Sequence, residues 1–505
     1  MTDAAATETS RDRYAHHFDT AHLEGDLRGR SARGGAMMFV GQITKFSVRM
    51  GSTMILARLL APSDFGLVAA VTSVTGFVAI FKDAGLSHAT VQKETVNHAQ
   101  VSTLFWINVG LSLALTLVVA ALSPVLATFY SDPRLVWITL AVAGTFSFAG
   151  VTVQHHALLR RQMRFRALAI IEAISFTGGA LIGIAMAYAG LGYWSLLGIS
   201  GGTALINAIA VWIACDWRPG PPKRGCGVGS MVKFGGHLSL ATVMDYMASN
   251  VDNILIGRVW GPAALGLYSK AYGIILLPLS QMDGVVSAVA LPGLARLQSE
   301  RERFARALLR MQRLILVPSI GPLVAIAIFA EPVIRVMLGD QWLEADIMFR
   351  ALTSIAIVQL YARFVGWTLV SLGKSQWVVR VAIGGSTLAL VAIAVGLPWG
   401  PEGVAIGLLI INLFWNPVIM CIALRAAEIS VWRFVKELGP VIAPPSVLLI
   451  VGVQLPGASS VDLLTPMGFL IFCGVALLGV GSTLVGRAAR EDLVTAIRDI
   501  RGRKK

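Results

Sequence analysis

The sequence predicts an all-α polytopic membrane protein. About fourteen transmembrane helices are expected, as two six-helix lobes related by a pseudo-twofold axis plus two C-terminal helices. Three observations carry this. The 505 residues are 55% hydrophobic and only 14% charged, whereas soluble domains carry roughly 25% charged residues. The apolar residues fall into fourteen runs that approach or exceed the length a bilayer needs, about 20 helical residues. Finally, one charged, helix-breaking joint recurs 200 residues later at the same place among the spans.

In chain order, residues 1–33 are polar and mixed in charge. They hold no apolar core of a signal peptide, so they read as a cytoplasmic tail before a first span that stays in the protein. Spans are expected at 36–57, 65–85, 100–122, 134–156, 167–189 and 192–214, an N-lobe of residues 34–214. A basic linker, 215–234, leads to spans at 235–257, 265–287, 308–330, 347–370, 376–397 and 403–425, a C-lobe of residues 235–425. Residues 426–486 hold two extra spans, 436–454 and 464–486, and 487–505 form a basic cytoplasmic tail. The thirteenth span, "VIAPPSVLLIV", is the weakest, because Pro444 and Pro445 interrupt it; without that C-terminal pair the count is twelve. The 51 glycines suit helices packed through small residues.

The excess of positive charge, +14, is organised by loop. The N-terminal tail and every second connector hold 32 Lys and Arg; the opposite side has only Arg58, Arg134, Arg258 and Arg335. Positive residues stay on the cytoplasmic side, so both termini are expected there. No basic patch is interleaved with aromatics as in RNA binders, and no nucleic-acid partner is expected. Cys215, Cys226, Cys421 and Cys473 form no C-x-x-C pair and read as free thiols. The longest loop on the far side, "EPVIRVMLGDQWLEAD", is about 16 residues, so the chemistry is expected inside the helical bundle.

The repeated joint is "LARLLAPSDFGL" at 56–67 and "IGRVWGPAALGL" at 256–267. Arg58, Pro62, Gly66 and Leu67 return as Arg258, Pro262, Gly266 and Leu267; Asp83 and Ser87 return as Asp283 and Ser287. Both joints fall after an odd-numbered span. Six helices separate them, so the halves share one orientation, a parallel repeat about an axis along the membrane normal.

Motifs for covalent chemistry and metal binding are lacking, and no cofactor is expected. "SLGKS" (371–375) ends like a phosphate loop, but Thr368 stands where the first glycine is required. The histidines lie mostly in expected tails and loops (His16, His17, His22, His88, His98, His155 and His156), with His237 at the mouth of span seven.

Charges inside spans are the informative residues, because each costs about 2.5–3.5 kcal/mol at mid-membrane. Lys45 and Arg49 lie in span one at i and i+4, on one face. A shift of 200 carries Lys45 to Asp245, Arg49 to Ser249 and Ser52 to Asp252 in span seven. These acids and bases either form ion pairs that lock the halves or line a hydrated cavity that accepts an anionic head group. Arg363 in span ten is a further cavity candidate. Lys270 and Arg350 lie near span ends and can snorkel to the membrane surface, and Glu172 is expected to pair with the run Arg160 to Arg166. Lys82, Asp83 and Asp283 end spans two and eight, as gate contacts or helix-end charges. Pro278, Pro322 and Pro417 mark bends.

"ILARLLAPSDFGLVAAV", "LLRRQMRFRALAIIE", "NVDNILIGRVWGPAALGLYSKAYGI" and "SLGKSQWVVRVA" resemble the polysaccharide transporter family. These are flippases for lipid-linked O-antigen and exopolysaccharide repeat units, within the multidrug/oligosaccharidyl-lipid/polysaccharide exporter superfamily. The resemblance covers about residues 30–430. It implies two lobes with alternating access. It also implies transport of undecaprenyl-pyrophosphate-linked oligosaccharide from the cytoplasmic to the periplasmic leaflet of the bacterial inner membrane. A basic cavity would meet the pyrophosphate, with Lys45, Arg49 and Arg363 as this chain's candidates and Ser249 beside them. A monomer is expected, with polysaccharide polymerase and export machinery as possible partners. Two other readings stay open at this point: a multidrug cation antiporter, and a membrane polymerase, ligase or glycosyltransferase.

Overall fold

The computed structural model describes residues 18, 27–82, 87, 90, 91, 93, 96–223, 246, 250–453, 461, 463 and 465–483. Fourteen α-helices and no strands occur among them. They form two compact units, Met1–Gly266 and Leu267–Lys505.

In the first unit the helices are α1 (Leu27–Leu59), α2 (Pro62–Ala79), α3 (His98–Tyr130), α4 (Arg134–Arg161), α5 (Phe165–Tyr188) and α6 (Trp194–Ala214). The next, α7 (Val251–Ala295), is two helices run together: Gly261, at φ 80 and ψ −178, breaks it. The first piece ends the seventh expected span and the second contains the eighth. The two joints solve one problem differently. At the first, Ala61 is extended and its N–H donates to the Asp64 carboxylate at 3.2 Å. At the second, position 264 is alanine, so that cap is unavailable, and the turn uses a glycine with positive φ instead. In both, proline opens the next helix, where its missing N–H costs nothing.

Packing in this unit runs through small residues. Gly179 and Gly183 of α5 lie against the backbone carbonyls of Ile199 and Ser195 on α6; a Cβ there would come within 2.7–2.8 Å of them. Helix α1 lies along α5 with Gly41 on Ala169. Helix α3 opens with a reciprocal cap between Asn97 and Gln100. The turn after α3 is closed by Arg134, whose guanidinium holds the Asp132 carboxyl below its usual range.

In the second unit α8 (Arg301–Ile328) and α10 (Asp346–Ser371) are the most enclosed: 72% of α8's apolar window is buried. Between them lies α9 (Ala330–Met337), a short helix inside the segment expected to be a loop. Helix α11 (Ser375–Gly396) and α12 (Gly400–Ala426) form a hairpin against α10. The last pair, α13 (Val431–Val453) and α14 (Pro466–Thr483), packs on α8, with Gly321 against α14 and Gly452 against Ile328. The doubtful thirteenth span is therefore a continuous helix, carrying Pro440, Pro444 and Pro445. Within the described residues the expected spans coincide with helices; of span seven only residues 246 and 250–257 are described.

The units repeat each other in local geometry. Within the first unit, burial likewise runs buried, buried, exposed over Leu56–Ala57–Arg58 and again over Ile256–Gly257–Arg258. Met163 (φ 54) ends α4 and Gly373 (φ 68) ends α10. The next residues, Arg164 and Lys374, share one conformation and donate to Leu159 O and Leu369 O, both at 2.9 Å. These are matching helix-ending turns.

Candidate functional site

Lys45 lies midway along α1. Its Nζ is 3.9 Å from Glu172 Oε2 and 4.5 Å from the centre of the Phe176 ring, and both partners stand on α5. The helix packing explains this. Gly41 meets Ala169, and one turn further along each helix the same faces carry Lys45 and Glu172. Glu172 thus pairs with Lys45, where the sequence pointed to the arginine run.

The pair is loose, and both side chains are about a quarter exposed (27% and 26%). An ammonium has three donors, so Lys45 retains capacity for another acceptor. Arg49, one turn on, is exposed. A charge on a membrane-spanning helix is not stable against hydrocarbon and requires water, a counter-charge or a ligand. The first unit thus presents two cations on one face of α1, one held by an acid and an aromatic ring.

Asp252 is buried, 5% exposed, and accepts the Asn253 N–H at 2.8 Å. Arg363 is partly exposed on α10 in the second unit. Arg350 pairs with Asp346 one turn away on the same helix, at 2.9 Å. Asp83, Asp245 and Ser249 lie outside the described residues, and of Lys82 and Asp283 only the backbone is described. Among the described residues, no three of His, Cys, Asp or Glu gather as metal ligands do.

The repeated joints meet each other. Gly66 rests on the Pro262 backbone carbonyl and Gly266 on that of Pro62, leaving neither glycine room for a Cβ. Gly257 lies against the Tyr130 ring, and the Arg258 guanidinium stands 5.7 Å from the centre of the Phe129 ring. Further along α2, the Tyr246 hydroxyl donates to Thr72 O at 2.9 Å and covers Gly76. Arg58 and Arg258 are both exposed.

Sequence reasoning missed a second polar centre. His155, placed in a loop from the sequence, is wholly buried in α4 among Phe105, Trp212 and Trp217. The hydropathy of span four ends near this point, and no local signal distinguishes a buried histidine from a loop one. Next to this cluster, Arg161 is buried and donates to Thr90 O at 3.1 Å, Lys93 O at 2.6 Å and Phe18 O at 3.4 Å. It ties two separated segments, at Phe18 and at Thr90–Lys93, to the end of α4 by satisfying their carbonyls.

The matches to known proteins agree with this architecture. Residues 55–347 match the family model described as "Polysaccharide biosynthesis protein". The teichuronic acid biosynthesis protein TuaB of Bacillus subtilis is 28% identical over 310 residues, 60% of this chain and 63% of that protein. The lipopolysaccharide biosynthesis protein WzxC of Escherichia coli is 20% identical over 398 residues, 77% of this chain and 79% of that one. Among solved structures, the lipid II flippase MurJ in an inward closed conformation superposes with a TM-score of 0.64 at 15% identity. That match covers 93% of this chain and 99% of MurJ, and at this identity it shows a shared fold. Since the family model spans more than half of the sequence, this multi-pass helical chain belongs to the polysaccharide biosynthesis protein family of membrane proteins.

Proposed function

We propose that the chain is a flippase for lipid-linked oligosaccharide. It moves undecaprenyl-pyrophosphate-linked repeat units from the cytoplasmic to the periplasmic leaflet of the inner membrane, for O-antigen, exopolysaccharide or capsule synthesis. The observation that supports this most is the cationic face of α1. Lys45 and Arg49 stand one turn apart on α1 and are reachable. A doubly charged pyrophosphate suits two neighbouring cations, and the exposed Arg49 is free of the constraint that Glu172 places on Lys45. Ser249, Arg363 and the acids Asp245 and Asp252 are further candidates, for head-group contact and for ion coupling or locking respectively.

The mechanism is alternating access without a covalent step, so the chain acts as a transporter and not as an enzyme. Both termini face the cytoplasm and the elbows Pro62–Gly66 and Pro262–Gly266 face outward. Lys82, Asp83 and Asp283 are gate candidates; Lys82 follows the end of α2, whereas Asp283, expected at the end of span eight, stands inside α7, which continues to Ala295. The chain works as a monomer beside polysaccharide polymerase and export machinery. Its driving force is an ion gradient, the membrane potential or substrate mass action. A drug-cation antiporter is disfavoured by the same α1 cations, which repel a cationic substrate.

Deletion in the host, followed by extraction of lipid-linked sugars, tests the reading. Completed repeat units accumulating on their lipid carrier, with loss of surface polymer, are expected. Normal polymer in the deletion strain would overturn it.

A further inference from the structure

Helices α11 and α12 fold back on each other through glycines. Gly396 and Gly403 each lie on the other's backbone carbonyl, and a Cβ on Gly407 would stand 2.8 Å from Ala392 O. With no side chains along this seam, a groove of about 570 Å³ runs beside it, within the range of about 300–1,000 Å³ of small-molecule sites. Its walls include Val391, Val395, Ile406 and Ile410, all exposed. Trp399, 71% exposed, closes the end where the hairpin turns. Glu402 stands beside it as the one charged residue of the lining, and its carboxylate makes no ion pair or side-chain hydrogen bond among the described residues.

Two observations select the occupant. The α11–α12 segment is one of the least covered spans, with 11% of its apolar window buried against 72% for α8. Hydrocarbon chains are what a membrane supplies to such a face. The second is charge. An exposed tryptophan at a hairpin turn sits at head-group depth, and the Glu402 carboxylate lies there without a basic neighbour in the lining. A head group bearing only phosphate, including that of a prenyl carrier, is repelled. One bearing an ammonium is attracted.

We propose that this groove binds one phospholipid with an amine head group, its chain along the glycine seam and its ammonium on Glu402. The site is separate from the α1 cations and does not depend on the transport reading.

The test is native mass spectrometry of the purified full chain, titrated with phosphatidylethanolamine and phosphatidylglycerol of identical acyl chains. The wild type should retain one phosphatidylethanolamine with about tenfold preference. Glu402→Gln should abolish that preference. Ile406→Trp, which fills the groove from its exposed wall, should abolish retention at unchanged unfolding temperature. Equal affinity for the two lipids in the wild type would overturn the proposal. So would an unchanged preference in Glu402→Gln, displacement by a polyprenyl phosphate, or a dimer that buries Ile406.

Discussion

Gly66 lies on the backbone carbonyl of Pro262, and the relationship is returned by Gly266 on the carbonyl of Pro62. A reciprocal contact of this kind is the mark of a two-fold relation, residue i meeting j while j meets i. The glycines are 200 residues apart, as are the prolines. The repeat visible in the sequence is therefore also a contact in the fold, and it explains why the proline and the glycine of each joint recur. The carbonyl contacts leave no space for even a methyl group.

Gly66→Ala and Gly266→Ala should each destabilise the protein by about 1–3 kcal/mol through overpacking. Gly51 and Gly110 have nothing within 4 Å of a Cβ. Their alanine variants should be neutral or gain up to about 1 kcal/mol from helix propensity. Thermal unfolding in detergent reads the difference; a uniform response would remove the elbow packing from the account.

Neutralising Lys45 and Glu172 together separates the pair from the cation. At about a quarter exposure the pair itself should contribute under about 1 kcal/mol, so Lys45→Gln/Glu172→Gln should fold. Polymer export, followed by surface-polysaccharide yield, should nevertheless fall at least about tenfold, a loss of about 1.4 kcal/mol in function. Full export in this variant would show that Lys45 serves only to balance Glu172.

One side of the second unit carries a connected set of ions. Arg313, 8% exposed, donates to Glu437 at 2.8 Å, and Glu437 also accepts from Arg433, which reaches Glu302. Arg313→Met leaves the partly shielded Glu437 with Arg433 alone and should cost about 1–3 kcal/mol. Arg301 and Glu428 also pair, but both are exposed, so Arg301→Met should cost under about 1 kcal/mol. Chemical unfolding compares the two, and comparable losses would mean that burial is not what sets the cost.

Arg160 and Arg161 give a sharper contrast, because they are neighbours in one basic run. Arg160 is exposed, whereas Arg161 caps the carbonyls of Thr90 and Lys93. Arg161→Gln should cost about 1–3 kcal/mol, and Arg160→Gln less than about 0.5 kcal/mol. Unfolding temperatures of the two variants decide it.

That contrast marks what the sequence can reveal. Hydropathy located the helices, even α13 with its three prolines, because apolar length is a property of a local window. The elbows were legible because glycine and proline report backbone geometry directly. Side-chain partners were not: Glu172 meets Lys45 only because α5 packs along α1 at Gly41. Arg161 looked like another topology-setting charge, yet it is buried because three distant carbonyls need donors. Helix α9 was read as loop since eight residues cannot span a bilayer. Its helix is held near the chain turn by Arg335, which bridges Glu331 and Asp340.

The central claim is that reachable cations on α1 carry a pyrophosphate-linked sugar lipid across the bilayer. Its most direct measurement is flipping in proteoliposomes, with a polyprenyl-pyrophosphate oligosaccharide in one leaflet and an enzyme that modifies exposed sugar in the other compartment. Wild-type protein should expose the sugar, and Lys45→Gln/Arg49→Gln, folded and inserted equally, should not. Equal flipping by the wild type and the double variant would contradict the account.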